Sequence, residues 1–202
     1  MRNKEMSRRE FFADLAKKLE GSGEMTTRED LKGNKISLLG YGAMRLPTKD
    51  GKHANTWAEG VSSAAIDQEA VNEHVDFALE HGVNYFDTSP AYCRGESERV
   101  MGEALSRHPR SSFFIATKLS NFAPRQYPLA ECKAMFENSL KALRTDYIDF
   151  YLLHALNRDS WHKMRDLGAL DFLEEAKAQG KIKYAMNVSS SFWMLFFPTK
   201  IS

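Results

Sequence analysis

The sequence predicts an α/β fold built on a parallel sheet, and three observations predict it. From Ile36 onward, apolar runs of strand length alternate with amphipathic stretches of helix length. One of those runs, residues 147–153, is apolar almost throughout, the pattern of a strand covered on both faces. Asp87, Lys118 and His154 each follow a strand-like run, and Tyr92 lies five residues beyond Asp87. In a parallel α/β barrel the C-terminal strand ends share one rim, and active sites are built there.

The first run, residues 36–46, reads as a strand interrupted by Gly40 and Gly42, and a polar loop follows over residues 47–66. Asp67 offers an N-cap to a helix whose Val71, Val75, Ala78 and Leu79 share one face, and Gly82 stands where that helix should stop. Residues 83–86 form the next strand. Ser97 is placed to cap a helix with Val100, Met101, Ala104 and Leu105 inward. Residues 113–116 are a strand, and Leu129, Cys132, Phe136, Leu140 and Leu143 mark a long amphipathic helix. After the strand of residues 147–153, a helix runs through Leu170, Leu173 and Ala176 and ends near Gly180, before a strand over residues 182–188. The order is strand then helix, repeated four times, and then a strand. Right-handed crossovers are expected.

Composition narrows the function classes. The 202 residues are 43% hydrophobic, enough for one core. Lys and Arg number 28 against 27 Asp and Glu, so charge gives no case for nucleic acid or an anionic membrane surface as partner. Cys93 and Cys132 form no CxxC pair, which fits a reducing, cytoplasmic setting without disulfides. Ser7-Arg8-Arg9-Glu10-Phe11-Phe12 is similar to a twin-arginine export signal, but charged residues fill 13–20, where an apolar segment would be needed. No run approaches the roughly 18 apolar residues of a membrane span. Residues 1–34 read as a polar leader, broken by Gly21-Ser22-Gly23.

Several spaced motifs now resemble the aldo-keto reductases. They are the opening Leu39-Gly40-Tyr41-Gly42-Ala43-Met44-Arg45-Leu46; the segment Gly82-Val83-Asn84-Tyr85-Phe86-Asp87-Thr88-Ser89-Pro90-Ala91-Tyr92; Gly95-Glu96-Ser97-Glu98 with Gly102-Glu103-Ala104-Leu105; Ala116-Thr117-Lys118; and Ser139-Leu140-Lys141-Ala142-Leu143 through Asp146-Tyr147-Ile148-Asp149 to Leu153-His154. The resemblance covers about residues 35–185 and is nearest to bacterial members with a ferredoxin-like C-terminal segment, although no matching cysteine cluster occurs. It implies a TIM (β/α)8-type barrel, here its first four β-α units and part of strand five.

The implied chemistry is hydride transfer from NADP or NAD, in reduced form, to a small aldehyde or ketone. Asp87, Tyr92, Lys118 and His154 would be the catalytic set. Tyr92 would protonate the carbonyl oxygen; a free tyrosine titrates near about 10, and a Lys118 ammonium beside it would favour the phenolate. Asp87 would hold Lys118, and His154 would orient the carbonyl. Gly42, Ala43, Met44 and Asp87 would touch the cofactor. No metal or iron–sulfur cluster is implied: His154 and His162 lack zinc-pair spacing, and Gly40 and Gly42 lack the third glycine of a dinucleotide turn.

Each of the four residues also has a plainer role: Asp87 as a loop cap, Tyr92 as a half-buried aromatic, Lys118 as a solvated strand end, His154 as a core histidine. Cys93 reads as a small packed side chain. The competing functions are a non-catalytic truncated remnant or a cofactor-binding or interaction module without turnover, and, more weakly, a metal-dependent hydrolase. The family likeness fails after Ala185, and residues 186–202 form a divergent apolar tail. A truncated gene is expected, with most of the cofactor grip missing, activity weak or absent in the free chain, and self-association through unpaired strand edges.

Overall fold

A computed structural model of the chain describes residues 25–30, 32–54, 64–121 and 127–189, residues 186–189 as backbone only. The twin-arginine-like segment, the Gly21-Ser22-Gly23 break, part of the polar loop and the tail from Phe192 to Phe197 lie outside these residues.

A short hairpin comes first: β1 (Thr27–Glu29) pairs antiparallel with β2 (Lys35–Ser37). There follow β3 (Tyr41–Gly42), α1 (Gln68–Glu80), β4 (Tyr85–Asp87), α2 (Ser97–Leu105), β5 (Phe114–Leu119), α3 (Leu129–Ala142), β6 (Ile148–Leu156), α4 (Arg158–Asp166), α5 (Ala169–Ala178) and β7 (Ile182–Ser189). Strands β3 to β7 form a five-stranded sheet in chain order, each neighbouring pair parallel. A doubly wound sheet reverses its strand order at a switch point; strands added always to the same side are the order of a (β/α)8 barrel. The fold is therefore α/β and of the expected barrel type; among the described residues the barrel is incomplete, with β3 and β7 at its two edges.

The helices pack on one face of the sheet because their apolar residues recur at helical spacing. In α1 the Asp67 carboxylate accepts the Ala70 N–H at 3.2 Å, and Val71, Val75 and Ala78 are buried. Val100, Met101, Ala104 and Leu105 of α2 are buried as expected, and so are Cys132, Phe136 and Leu140 of α3. Phe136 meets Tyr151 of β6 and Phe172 of α5 edge-on, with centroids 4.9 and 5.6 Å apart. Each such pair contributes about 1 kcal/mol beyond its buried area. Helix α4, polar in all but a few positions, starts from a reciprocal cap in which Asn157 Oδ1 accepts the Ser160 N–H and Ser160 Oγ accepts the Asn157 N–H.

The opposite face of the sheet carries a second apolar cluster: Ala116, Phe150 and Leu152, with Ile36, Tyr85, Phe114 and Tyr184 against it. Phe150 stacks on Tyr184 at 4.9 Å and 10°. The hairpin joins this cluster through Ile36, and the Tyr184 hydroxyl donates to Asp30 in its turn. Asp30 also accepts the N–H groups of Lys32 and Asn34. Those hydrogen bonds hold its carboxyl at about 2, even though desolvation pushes the other way. On β6 the buried Asp149 is paired by Arg110 and Lys183 and accepts the Ile115 N–H.

Three expectations need correction. The single strand of residues 36–46 is two short strands in different sheets, because β2 turns back to the hairpin and only Tyr41–Gly42 joins the main sheet. Lys118 and His154 do not follow their strands but lie inside β5 and β6, since the parallel ladder runs on past Ala116 and Leu153. Ser97 does not cap α2: the cap position is Glu96, without a side-chain hydrogen bond, and Ser97 Oγ is turned inward to the Ala43 carbonyl at 2.9 Å.

Where α2 crosses the end of α3, Gly102 is the point of closest approach. A Cβ there would lie 2.1 Å from the Ala142 carbonyl oxygen and 2.7 Å from Leu143 Cα. Backbone cannot swing aside as a side chain can, so Gly102→Ala should cost about 1–3 kcal/mol. A denaturant titration checks this: the midpoint falls, whereas an unchanged midpoint would show that the two helices separate freely.

Candidate active site

Side chains along a strand alternate between faces, so residues two apart share one. Tyr85, Ala116 and Leu152 mark the inner face, and Asp87, Lys118 and His154 are each two residues further along β4, β5 and β6. Register adds the rest. Asp87 pairs with Ala116, and Lys118 with Leu152. Each functional residue is thus one inward layer beyond the partner of the one before, the stagger that a barrel imposes. Three chemically different groups meet at one end of the sheet on one face.

Tyr92 arrives from a loop. The 3-10 turn Tyr92–Gly95 holds Cys93 and Arg94 at φ +50° and +59°, the left-handed region that side chains disfavour. Packing fixes it: Cys93 is fully buried, its Sγ against the carbonyls of Ala43, Met44 and Ala54 at 3.4–3.7 Å. This is the small packed side chain expected of Cys93, and it anchors the residue next to Tyr92.

At the centre is the ammonium of Lys118. The residue is 3% exposed, and its Nζ donates to Asp87 Oδ1 at 2.6 Å and to the Thr88 carbonyl at 2.7 Å. The same Nζ lies 4.6 Å from the centre of the Tyr92 ring, which meets the His154 ring edge-on at 5.7 Å and 82°. The four residues named from the sequence are brought together, and Lys118 is not a solvated strand end.

Burial is the largest influence on the charges here. It pushes the Asp87 carboxyl above its ordinary value, against the pull of the Lys118 charge and hydrogen bond. It pushes His154 down to about 4, and the Lys118 charge adds to that, so the ring is neutral at pH 7. His154 Nδ1 lies 2.7 Å from Ser120 Oγ and 3.3 Å from Ser89 Oγ.

The four residues named for cofactor contact differ. Gly42 is exposed, beside Asp87 in the register, with open space where a Cβ would be. Met44 is half-buried. Ala43 is fully buried, its N–H given to the Asp87 carbonyl and its own carbonyl taken by Ser97 Oγ, so its polar groups are committed to the fold. Sequence reasoning missed Thr88, Ser89 and Ser120. The first two sit inside the Asp87-to-Tyr92 segment, and Ser120 follows Lys118 by two; parity along β5 would have put Ser120 on the inner face. A groove of about 560 Å³ adjoins the rim between Asn121 and Tyr127 on one side and Ala155 and Lys163 on the other. Among the described residues no group of three or more His, Cys, Asp or Glu is arranged to hold a metal, and no helix is long and apolar enough to cross a membrane.

Comparison with known proteins places the chain in a family. The model of the aldo/keto reductase family matches residues 38–191. The chain is 31% identical over 160 residues to the uncharacterised oxidoreductase YqkF of Bacillus subtilis, an alignment covering 74% of this chain and 44% of that protein. It is 37% identical over 106 residues to the aldo-keto reductase YhdN of Bacillus subtilis, covering 49% and 32%. Among solved structures it is similar to the holo form of an aldo-keto reductase from Bacillus halodurans, with a TM-score of 0.64 and 29% identity over 83% of this chain and 51% of that one. The chain spans less than half the length of these curated relatives.

The neutral His154 has a consequence for stability. Its folded value of about 4 is below its ordinary 6.5. Between those values the folded state binds fewer protons than the unfolded chain, so His154 makes stability rise with pH and fall on acidification. Asp87 and Glu98, both raised by burial, act with the opposite sign. The difference between wild type and His154→Asn isolates the histidine. Denaturant midpoints measured at about pH 7, 5.5 and 4.5 should fall more steeply in the wild type than in the variant. Parallel curves would mean that His154 keeps an ordinary titration.

Proposed function

This chain belongs to the aldo/keto reductase family, and on that premise we propose that it serves NAD(P)H-dependent reduction of a small aldehyde or ketone. Asp87, Tyr92, Lys118 and His154 are the catalytic set of this reading. One observation carries it: Lys118 Nζ touches Asp87 at 2.6 Å and lies 4.6 Å from the Tyr92 ring, in a pocket shared with a neutral imidazole.

The residues present fit a nicotinamide beside Asp87. Gly42 offers exposed backbone there with open space above it, and Met44 adds half-buried apolar surface. Gly42, Met44 and Asp87 would hold the ring end, with Ala43 fixing the loop from behind. The nicotinamide, when bound, supplies the hydride. The chain's residues do the rest. As charge grows on the carbonyl oxygen, the Tyr92 hydroxyl gives up its proton to it. The Lys118 ammonium over the ring stabilises the phenolate left behind. Asp87 and the Thr88 carbonyl keep that ammonium in place. His154, neutral, donates a hydrogen bond that sets the carbonyl against the Tyr92 hydroxyl.

The test is direct. Nicotinamide fluorescence of the purified chain with NADPH reads binding, and absorbance after adding a reactive aldehyde reads turnover. Weak turnover is expected of a chain that spans less than half the length of its relatives, and Tyr92→Phe should lower it by about 100-fold or more while leaving binding intact. Equal turnover in wild type and Tyr92→Phe would remove Tyr92 as proton donor. Binding without turnover in the wild type would favour the cofactor-binding module instead.

A further inference from the structure

We infer that Ser120 and Ser89 are positioning residues that fix the tautomer of His154, leaving Nδ1 without hydrogen and placing the ring hydrogen on Nε2. The inference rests on the functional reading above for its purpose, but not for its geometry.

The case is made by counting hydrogens along a short chain of contacts. At its buried end the Ala91 N–H donates to Ser89 Oγ at 3.1 Å. Ser89 is completely buried, so its own hydroxyl hydrogen needs an acceptor inside the protein. Two are within reach: Ser120 Oγ at 2.9 Å and His154 Nδ1 at 3.3 Å. The nearer is Ser120. With the Ser89 hydrogen on its oxygen, Ser120 directs its own at Nδ1, which lies 2.7 Å away. Every link then runs one way, from the Ala91 amide through two hydroxyls to the ring nitrogen. If Ser89 donates to the ring instead, Nδ1 is still the acceptor.

The opposite tautomer fits less well. A hydrogen on Nδ1 would crowd the ring N–H and the Ser89 hydroxyl onto the single Ser120 oxygen. It would also turn the Ser120 hydrogen away from both partners. The ionised ring meets the same crowding, and it faces the Lys118 ammonium as well as the Tyr92 ring. A neutral ring with bare Nδ1 satisfies all the donors. A neutral imidazole has one N–H, so fixing Nδ1 as acceptor fixes Nε2 as donor. A histidine that is to donate to a carbonyl oxygen needs that hydrogen held on the nitrogen away from the serines. Serine hydroxyls do so without adding a charge beside Lys118.

Nitrogen NMR of the full chain labelled with 15N-histidine tests this, with the His154 signals identified by their loss in His154→Asn. The wild type should show one neutral form from about pH 6 to 8, with Nδ1 bare and Nε2 protonated. Ser120→Ala alone should keep that tautomer, because the Ser89 hydroxyl then turns to Nδ1. The double variant Ser89→Ala/Ser120→Ala should give mixed tautomers and move the ring's titration midpoint up towards that of free histidine. Ser89→Ala/Ser120→Thr, which returns one hydroxyl, should restore both. Protonated Nδ1 in the wild type overturns the inference, and this holds even if the double variant does not fold. A double Ala variant with the wild-type tautomer and midpoint also overturns it. Absence of turnover with NADPH and an aldehyde, alongside the expected tautomer, would sink the functional reading and leave the wiring standing.

Discussion

The site depends on one buried charge. An ammonium out of water is costly, and it persists only where hydrogen bonds and an opposite charge replace its hydration. Lys118 has both: the Asp87 carboxylate at 2.6 Å and the Thr88 carbonyl at 2.7 Å. Their demands shape the neighbourhood. The end of β4 must stay against β5, because the Thr88 N–H is also given to the Ala116 carbonyl. The loop after it must carry Tyr92 back over the ammonium. The imidazole of His154, buried and facing the same charge, is driven towards neutrality.

The helix layer holds this arrangement from behind. Thr117, next to Lys118, points to the other face and donates to the buried Glu98 carboxylate at 2.6 Å, which also accepts from Ser139. Ser97, adjacent in α2, bonds Thr88 Oγ1 at 2.8 Å and the Ala43 carbonyl at 2.9 Å. Helix α2 is thereby pinned to β3, β4 and β5 at the level of the rim. Its Gly102 lets α3 approach closely enough for Ser139 to reach the same carboxylate. Packing and site geometry are set by the same contacts.

Much of this was legible in the sequence. The α/β class followed from alternating periods, and the helix faces from i, i+4, i+7 spacing. The four residues of the candidate site were identified by type and by position near strand ends. What failed was local. Strand ends were drawn at the last apolar residue, before Lys118 and before His154, because a polar side chain looks like an exit from the sheet. The ladder continues because that lysine finds partners across β4. Ser97 looked like a cap because serine commonly is one; only tertiary contacts show that it is an inward hydroxyl. Helix α4 went unseen because its sequence has almost no apolar stripe to read. The wiring of Ser89 and Ser120 needs the register of three strands, which no single segment contains.

The dependence of the site on the buried pair is measured most directly by a double-mutant cycle on unfolding free energy, with Asp87→Asn, Lys118→Met and the double variant. The account predicts strong non-additivity, a coupling on the order of 2 kcal/mol, because Asp87→Asn strands the buried Lys118 ammonium and Lys118→Met takes from the half-buried Asp87 the cation that holds it. Effects that add to within about 0.5 kcal/mol would contradict it, and would mean that Lys118 and Asp87 do not hold each other.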